Sequence, residues 1–233
     1  MVDDARDAAA SGAGALLAGA ARVVASLRPA AKPLHPRGTT WSAVLVRHGG
    51  ARSGVPWLDD PGTDKAVVRQ SRAIGLPRAL PDVHGLAVRA ERGDGGVADV
   101  LLATTGSGPL GRYLLHLGRG SASMFFGSLL PYRTPLGPVH LGALLRDDRT
   151  WDVLWAAGRA PWAPFGRLVL EEQLREHDVS FDPVLNRPPG LEQYDLLARL
   201  RLPAYRAARR SRGDGIREQG GWRPDLTGAS NRI

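Results

Sequence analysis

The sequence predicts an α+β protein whose body is an antiparallel β-barrel or β-sandwich, with helical segments at both ends of the chain. About eight short β-rich runs follow one another, and clusters of Gly and Pro separate them. No long helix lies between successive runs, which disfavours a βαβ fold. The predicted strands are Thr40–Arg47, Ala66–Ser71, His84–Ala90, Val97–Thr104, Val139–Leu145, Trp151–Ala157, Phe165–Gln173 and Val179–Leu185.

The order of predicted helical and β-rich segments divides the chain into four parts. Residues 1–30 are predicted to form an N-terminal helix, because apolar positions recur at helical spacing until a proline stops them. Residues 31–190 form the predicted barrel, with one helical patch near 111–117. Residues 191–213 turn helical again, and the Gly- and Arg-rich tail over 214–233 is predicted to be loose.

Composition narrows the function classes. The 233 residues are 43% hydrophobic, which is enough for a sizeable core. The absence of Cys excludes disulfides, zinc–thiolate sites and thiol nucleophiles, and it favours a cytoplasmic location. The acidic start at Asp3 and Asp4 argues against a secretory signal, and the Ala- and Gly-rich stretch over 8–25 is too weakly apolar for a convincing membrane span.

The basic charge favours a solvated surface over a binding function. The net charge is +8, and all but two of the 31 basic residues are Arg. Because these charges are spread along the chain until the run over 199–212, nucleic acid is disfavoured as a partner. We expect no membrane partner, and an oligomer is compatible with the sequence.

Two segments before residue 100 carry candidate functional side chains. His35 precedes the first strand, and small residues follow it at 38–40, which leaves one face of its imidazole open. Taken alone, such a histidine is more often a surface or capping residue. Arg69 lies in the middle of an apolar strand, where an inward guanidinium must find an anion. The alternative is a structural salt bridge with Asp82 or Asp99.

A third segment lies near the C-terminus. If Pro203 opens a helix, Arg201 lies about one turn from Tyr205, and Arg212 follows further along the same basic run. The alternative is that Tyr205 packs in the core while the arginines stay solvated.

In this order, the three segments resemble those of the haem-dependent catalase superfamily. His35 with the small residues at 38–40 is similar to the family's distal motif, and Arg69 before Ser71 is similar to its strand motif. Residues 82–87 resemble the family's Asp-x-x-Gly-aromatic-Ala pattern, and the Asp-Val-Leu run at 99–101 looks like the Asp-Leu-Val run that follows.

The family's proximal motif places one Arg four residues before an iron-ligating Tyr and another seven residues after it. Arg201, Tyr205 and Arg212 reproduce that spacing. The resemblance covers roughly residues 28–105 and 195–213, and the chain looks like a short, divergent bacterial branch of the superfamily. It implies a catalase-like β-barrel that binds haem b, with the ferric iron ligated by the tyrosinate of Tyr205.

The resemblance also implies a role for each candidate. Ionising a tyrosine at pH 7 costs roughly 4 kcal/mol, and a guanidinium about 4 Å away, here that of Arg201, supplies a comparable Coulomb term. Arg69 and Arg212 are the candidates for the haem propionates. His35 would be the catalytic acid and base toward a peroxide or organic hydroperoxide substrate.

One departure from the family pattern shapes the expected activity. The family's distal Asn should fall near Ala103 and Thr104, and no Asn is there. We therefore expect a peroxidase or hydroperoxide-using oxidoreductase with weak or no true catalase activity. Two alternatives stay open: a non-catalytic haem carrier or sensor, and a haem-less barrel that acts as a phosphodiesterase-type hydrolase or a basic binding module.

Overall fold

The structure, a computed structural model, describes residues 37–73, 80–118, 124–174 and 179–194. Its helices are a short α-helix, α1, and one turn of 3-10 helix, and neither is long and apolar enough to cross a membrane. The elements in chain order are β1 (Arg37–Arg47), α1 (Pro56–Asp59), β2 (Gly62–Arg72), β3 (His84–Glu91), β4 (Val97–Thr104), the 3-10 helix (Gly111–Tyr113), β5 (Phe125–Gly127), β6 (Tyr132–Thr134), β7 (Gly137–Leu145), β8 (Thr150–Ala157) and β9 (Ala163–Leu174).

The strands close into an antiparallel barrel. They pair in the order β5-β4-β3-β2-β1-β9-β8-β7-β6, and β5 also pairs with β7, which joins the two ends of the sheet. β5 and β6 pair with different stretches of β7, so the nine strands fill eight positions around the barrel. Closure leaves the sheet without a long free edge, which is the way small all-β domains avoid edge-to-edge association.

Side chains alternate between the inside and the outside of the barrel wall, as the strand geometry requires. The inner positions form one continuous apolar core that includes Leu45, Val68, Leu86 and Trp151. Trp151 is fully buried and meets Phe126 in an edge-to-face contact, with ring centroids 5.0 Å apart. Because the inside is filled with side chains, a ligand site belongs on the outer face or at a barrel end.

Residues 180–186 pack against the outer face of β3 and β4, and residues 190–192 lie beside Val55 and β6. The fully buried carboxylate of Asp99 accepts hydrogen bonds from the Arg89 guanidinium at 2.6 and 2.7 Å. It also accepts from the backbone N–H of Asp182 and from the side-chain amide of Asn186. This buried carboxylate therefore anchors Asp182 and Asn186 to the barrel.

The predicted strand Val179–Leu185 is wrong. Residues 179–182 have no regular structure and residues 183–185 form a turn, in which the Asp182 side chain accepts hydrogen bonds from the backbone N–H groups of Val184 and Leu185. Such a bond mimics a turn and competes with strand pairing, and Pro183 cannot donate to a ladder.

The other seven predicted strands are confirmed as β1–β4 and β7–β9. β5 and β6, of three residues each, were missed, because three residues give no readable alternation. The helical patch near 111–117 is a 3-10 turn over its first three residues only. The predicted N-terminal helix (1–30) and loose tail (214–233) lie outside the described residues, as does most of the predicted helical segment (191–213).

Candidate functional site

Small side chains line the outer face of the first half of the barrel. The strand register places Gly38, Ser71, Gly85, Ala103 and Gly127 side by side, one from each of β1–β5. We call these five residues the small-residue row. Together they make a flat strip across five strands, with no side chain larger than that of serine.

Arg69 lies on the same outer face, in the row of residues next to the small-residue row. The register pairs it with Thr40 on β1 and with Ala87 on β3. Its guanidinium lies against the backbone of Gly38, where a Cβ atom would stand 3.1 Å from the Arg69 Cζ and Nε atoms and 2.7 Å from the Gln70 carbonyl oxygen. Glycine at position 38 therefore leaves the room that the arginine head group uses.

Both carboxylates considered as alternative partners of Arg69 have other arginine partners. Asp82, fully buried, pairs with Arg72 at 3.3 Å, and Asp99 pairs with Arg89 at 2.6 Å. The guanidinium of Arg69 lies at the Gly38 end of the small-residue row. Its charge is thus set beside a flat, weakly polar surface, a combination suited to a planar ligand that carries an anionic group.

A second polar cluster lies on the outer face of β7. The 3-10 helix supplies Arg112 and Tyr113, β7 supplies His140, and the start of β9 is preceded by Trp162. Arg112 is buried, stacks on the Trp162 ring at 4.6 Å, and donates to the carbonyl oxygens of Gly158 and Ala160. Carbonyl oxygens and an aromatic face offset part of the cost of burying this cation.

His140 within this cluster is held neutral. Its Nε2 atom lies 3.1 Å from the Tyr113 hydroxyl oxygen, and its side chain is fully buried. Burial lowers the pKa of His140 to about 3, and the neighbouring charge of Arg112 pushes the pKa in the same direction. At neutral pH the imidazole is therefore unprotonated, and burial separates it from solvent. We assign the cluster a structural role.

A further histidine lies at one end of the barrel. Burial is the main cause that lowers the pKa of His84, and the charge of Arg72 adds to it. The backbone N–H of His84 donates to the Thr104 hydroxyl, which in turn donates to the His116 carbonyl oxygen. Within the described ranges, no three His, Cys, Asp or Glu side chains come together in a way that could hold a metal ion.

Of the five site residues predicted from sequence, the structure describes Arg69 alone. His35, Arg201, Tyr205 and Arg212 lie outside the described residues, so their convergence on Arg69 stays a prediction. The small-residue row was not predicted. Its signal in the sequence is a small residue at matching positions of successive strands, which only the strand register can align.

The barrel and its outer face define a catalase-like β-barrel fold, and comparison with solved structures bears this out. The structure of a bacterial catalase matches with a TM-score of 0.55 and 14% sequence identity, covering 77% of this chain and 57% of that one. Catalase A from Saccharomyces cerevisiae matches with a TM-score of 0.55 and 12% identity, covering 83% of this chain and 63% of that one.

The chain thus spans about three fifths of the length of these two catalases. No protein-family model matches the sequence, and no curated protein matches it. The shared property is the fold, which by itself does not fix an activity.

Proposed function

We propose that this protein binds haem b on the outer face of β1–β4 and uses it as a peroxidase or hydroperoxide-using oxidoreductase with weak or no catalase activity. The observation that carries the proposal is the Arg69 guanidinium set against Gly38 beside the small-residue row. The catalase-like fold supports it, because both solved structures named above are catalases.

The described residues fit a haem group. A porphyrin is a wide planar ring, and a strip of Gly, Ser and Ala across five strands gives such a ring a flat surface without protruding side chains. Haem also carries two propionates, and a half-buried guanidinium at the edge of the strip is a suitable partner for one carboxylate. A Cβ at Gly38 would crowd that guanidinium and the Gln70 carbonyl oxygen.

Four residues outside the described part complete the proposed site. Tyr205 would ligate the ferric iron as tyrosinate, and the charge of Arg201 would favour its ionised form. Arg212 would bind the second propionate. When bound, haem supplies an iron centre that exchanges electrons with peroxides.

Acid–base work would fall to His35. A neutral imidazole can accept a proton from a peroxide and return it to the departing oxygen. Among the described residues of the small-residue row and the neighbouring Arg69 row, Arg69 is the one ionisable side chain, and a guanidinium stays protonated. In this proposal, proton transfer beside these two rows therefore falls to His35.

The same observation favours a second candidate function, a haem carrier or sensor without catalysis. A face with Ala103 at the position expected for a distal Asn, and with glycine on either side of it in the row, offers no side-chain amide to a substrate. If His35 does not reach this face, the protein would hold haem without turning over peroxide.

The proposal is tested by the absorption spectrum of protein produced with a haem precursor. We expect a Soret band in the wild type that shifts or collapses in Tyr205→Phe, because phenylalanine cannot ligate iron. Tyr194→Phe is the matched control, and its spectrum should equal that of the wild type. A folded wild-type protein without a Soret band would overturn the haem proposal.

Peroxide turnover then separates the two functions. An active peroxidase should lose most of its turnover in His35→Gln while it keeps its haem. A haem-loaded wild type with no turnover of hydrogen peroxide or an organic hydroperoxide would support the carrier or sensor.

A further inference from the structure

Three exposed leucines lie on one segment at the barrel surface. The 3-10 helix and its flanks carry Leu110, Leu114 and Leu117, whose exposed fractions are 57%, 58% and 57%. We call these three residues the leucine ridge. The one arginine of residues 108–118 is buried, so the segment exposes no arginine, lysine or carboxylate. A single exposed leucine is ordinary, but a series of them on one segment indicates a surface for another apolar segment.

The ridge runs toward the small-residue row. It starts beside β7, where the Tyr113 hydroxyl oxygen lies 3.1 Å from Nε2 of His140. Leu115 then forms a bridge with Thr105, directly after β4, and the segment ends at a bridge with the residues just before β3. The segment thus passes from β7 to the ends of β4 and β3, and these ends carry two members of the small-residue row.

The last described residues of the chain are fixed to the barrel. Leu191 and Gln193 are buried, and the Gln193 side-chain amide donates to the Pro183 carbonyl oxygen at 2.8 Å. Between them, Glu192 pairs with Arg133 of β6 through two backbone hydrogen bonds of 2.6 and 3.0 Å. These contacts determine where the chain leaves the barrel.

The chain leaves the barrel close to Tyr113. Arg133 pairs with Pro138 on β7, so the antiparallel register places Tyr194 level with His140, about two strand spacings or roughly 10 Å away. Burial is the main cause that raises the pKa of Tyr194, the charge of Arg133 lowers it, and that of Tyr113 raises it again, in agreement with this closeness. The chain that continues from Tyr194 therefore starts beside the leucine ridge.

The sequence beyond Tyr194 offers an apolar face of its own. Residues 195–202 read Asp-Leu-Leu-Ala-Arg-Leu-Arg-Leu, a pattern that predicts a helix. Leu196 and Leu200 are about one turn apart and Leu197 lies next to them, so the three fall on one side of such a helix. A helix of this length is marginal in water by itself, so it depends on burying its apolar side against the protein.

We propose that residues 195–202 dock as a helix on the leucine ridge, with Leu196, Leu197 and Leu200 facing it. The occupant is this chain's own segment, because its start is held beside the ridge and because both surfaces are apolar. Attachment raises the local concentration of the segment, so a modest apolar contact is enough. The docking does not require haem. Within the proposed function, its consequence is that Tyr205 is carried along the ridge toward the small-residue row.

The absence of Cys allows a test by disulfide cross-linking of the full, haem-free chain. Leu200→Cys is combined with Leu114→Cys, with Leu117→Cys, or with Leu136→Cys as the matched control. Leu136 is 68% exposed and lies in the turn after β6, the strand that holds Glu192, so it is also within reach of the segment. We expect a ridge pair to form an intramolecular disulfide at least about tenfold faster than the control pair, measured by mass spectrometry.

Two outcomes of the cross-linking would contradict the docking. A control pair that reacts as fast as both ridge pairs would show that the segment has no fixed place. Disulfides between two chains in place of the intramolecular product would assign the ridge to a second copy of this chain.

Hydrogen exchange of the amides in 195–202 gives a second readout. Leu114→Glu places a charge in the ridge, and Leu136→Glu places the same charge at the control position. We expect exchange at least about tenfold faster in Leu114→Glu than in the wild type, the contribution of burying roughly one leucine side chain, and no change in Leu136→Glu. Equal exchange in the wild type and Leu114→Glu would overturn the docking.

Failure of the docking and failure of the haem proposal are distinguishable. A wild type without a Soret band whose ridge pair cross-links would keep the docking and lose the haem. A Soret band that depends on Tyr205, in a protein whose ridge pairs do not cross-link, would keep the haem and overturn the docking.

Discussion

Two ends of one row of small residues on the outer face are used in opposite ways. The register continues the small-residue row from Gly127 to Gly142 on β7. At Gly142 the space is filled by the protein's own rings: an added Cβ would stand 2.6 Å from Cζ of Phe125 and 3.1 Å from Cζ3 of Trp162. At Gly38 the space holds the cationic head group of Arg69, at the edge of a half-buried strip.

The difference shows that glycines in the strands of this barrel make room for two different kinds of neighbour. On β7, glycine lets aromatic rings lie flat against the wall, and the cluster around Arg112 and His140 completes a closed structural layer. On β1–β4, small residues keep the wall flat where a charged group stands beside it. We call the Gly142 end on β7 the filled end and the Gly38 end on β1 the open end. Substitutions at the filled end should therefore change the free energy of unfolding. Substitutions at the open end should change the affinity for haem.

The largest effect is expected at Arg112. Arg112→Met keeps much of the volume but leaves the carbonyl oxygens of Gly158 and Ala160 without a donor and removes the stacking on Trp162. We expect a loss of about 3 kcal/mol in the free energy of unfolding, measured with urea. Arg159 is exposed and lies in the turn that contains Gly158 and Ala160. Arg159→Met should change the free energy of unfolding by less than about 0.5 kcal/mol. Equal effects at the two positions would show that the buried contacts of Arg112 do not stabilise the filled end.

The next effect concerns pH and His140. The folded-state pKa of about 3 lies below the unfolded value near 6.5, so below pH 6.5 the unfolded chain binds a proton that the folded chain does not. Stability should therefore fall as the pH falls from 6.5 toward 3, by about 1.4 kcal/mol per pH unit. His84, whose pKa is also lowered, contributes in the same direction.

The measurement is urea unfolding at a series of pH values from 7 to 4.5, above the range in which the lowered pKa values of Asp59, Asp94 and Asp147 contribute. His140→Gln should flatten the slope, and His48→Gln, at an exposed position, should not. An unchanged slope in His140→Gln would show that the cluster admits the protonated imidazole.

The smallest effect on folding is expected at Arg69, at the open end. Arg69→Gln should change the free energy of unfolding by about 1 kcal/mol or less, because the side chain is half-buried. It should weaken haem binding by at least about tenfold, the contribution of one hydrogen bond to a charged group. Haem affinity is measured by transfer to apo-globin, with Arg149→Gln as an exposed control. A large loss of stability without a loss of haem would place Arg69 among the structural residues.

The strands were predictable where alternation runs long enough to be read. β3 was predicted within one residue, because Leu86, Val88 and Ala90 alternate with half-buried positions and Gly–Pro clusters bound the run. β5 was not, although Phe126 packs in the core, because three residues between two loops carry no period. The apolar run at 179–185 gave a false strand, since the turn made by Asp182 depends on where its side chain points.

The candidate site was predictable in part. Arg69 stands out in the sequence as a charge in an apolar run, and its place on a strand is confirmed. The small-residue row does not stand out, because each of its members is an ordinary small residue in its own strand. Only the register of the barrel brings the five residues side by side.

The sequence by itself determined that the chain builds an antiparallel barrel or sandwich of short strands, because strand patterning and turn residues act over a few neighbouring positions. The tertiary structure decided the rest. Barrel closure through β5 and β7 and the alignment of Gly38 with Ser71, Gly85, Ala103 and Gly127 both depend on register between distant segments. Register is set by the simultaneous burial of one face of every strand, and no single stretch of the sequence contains that information.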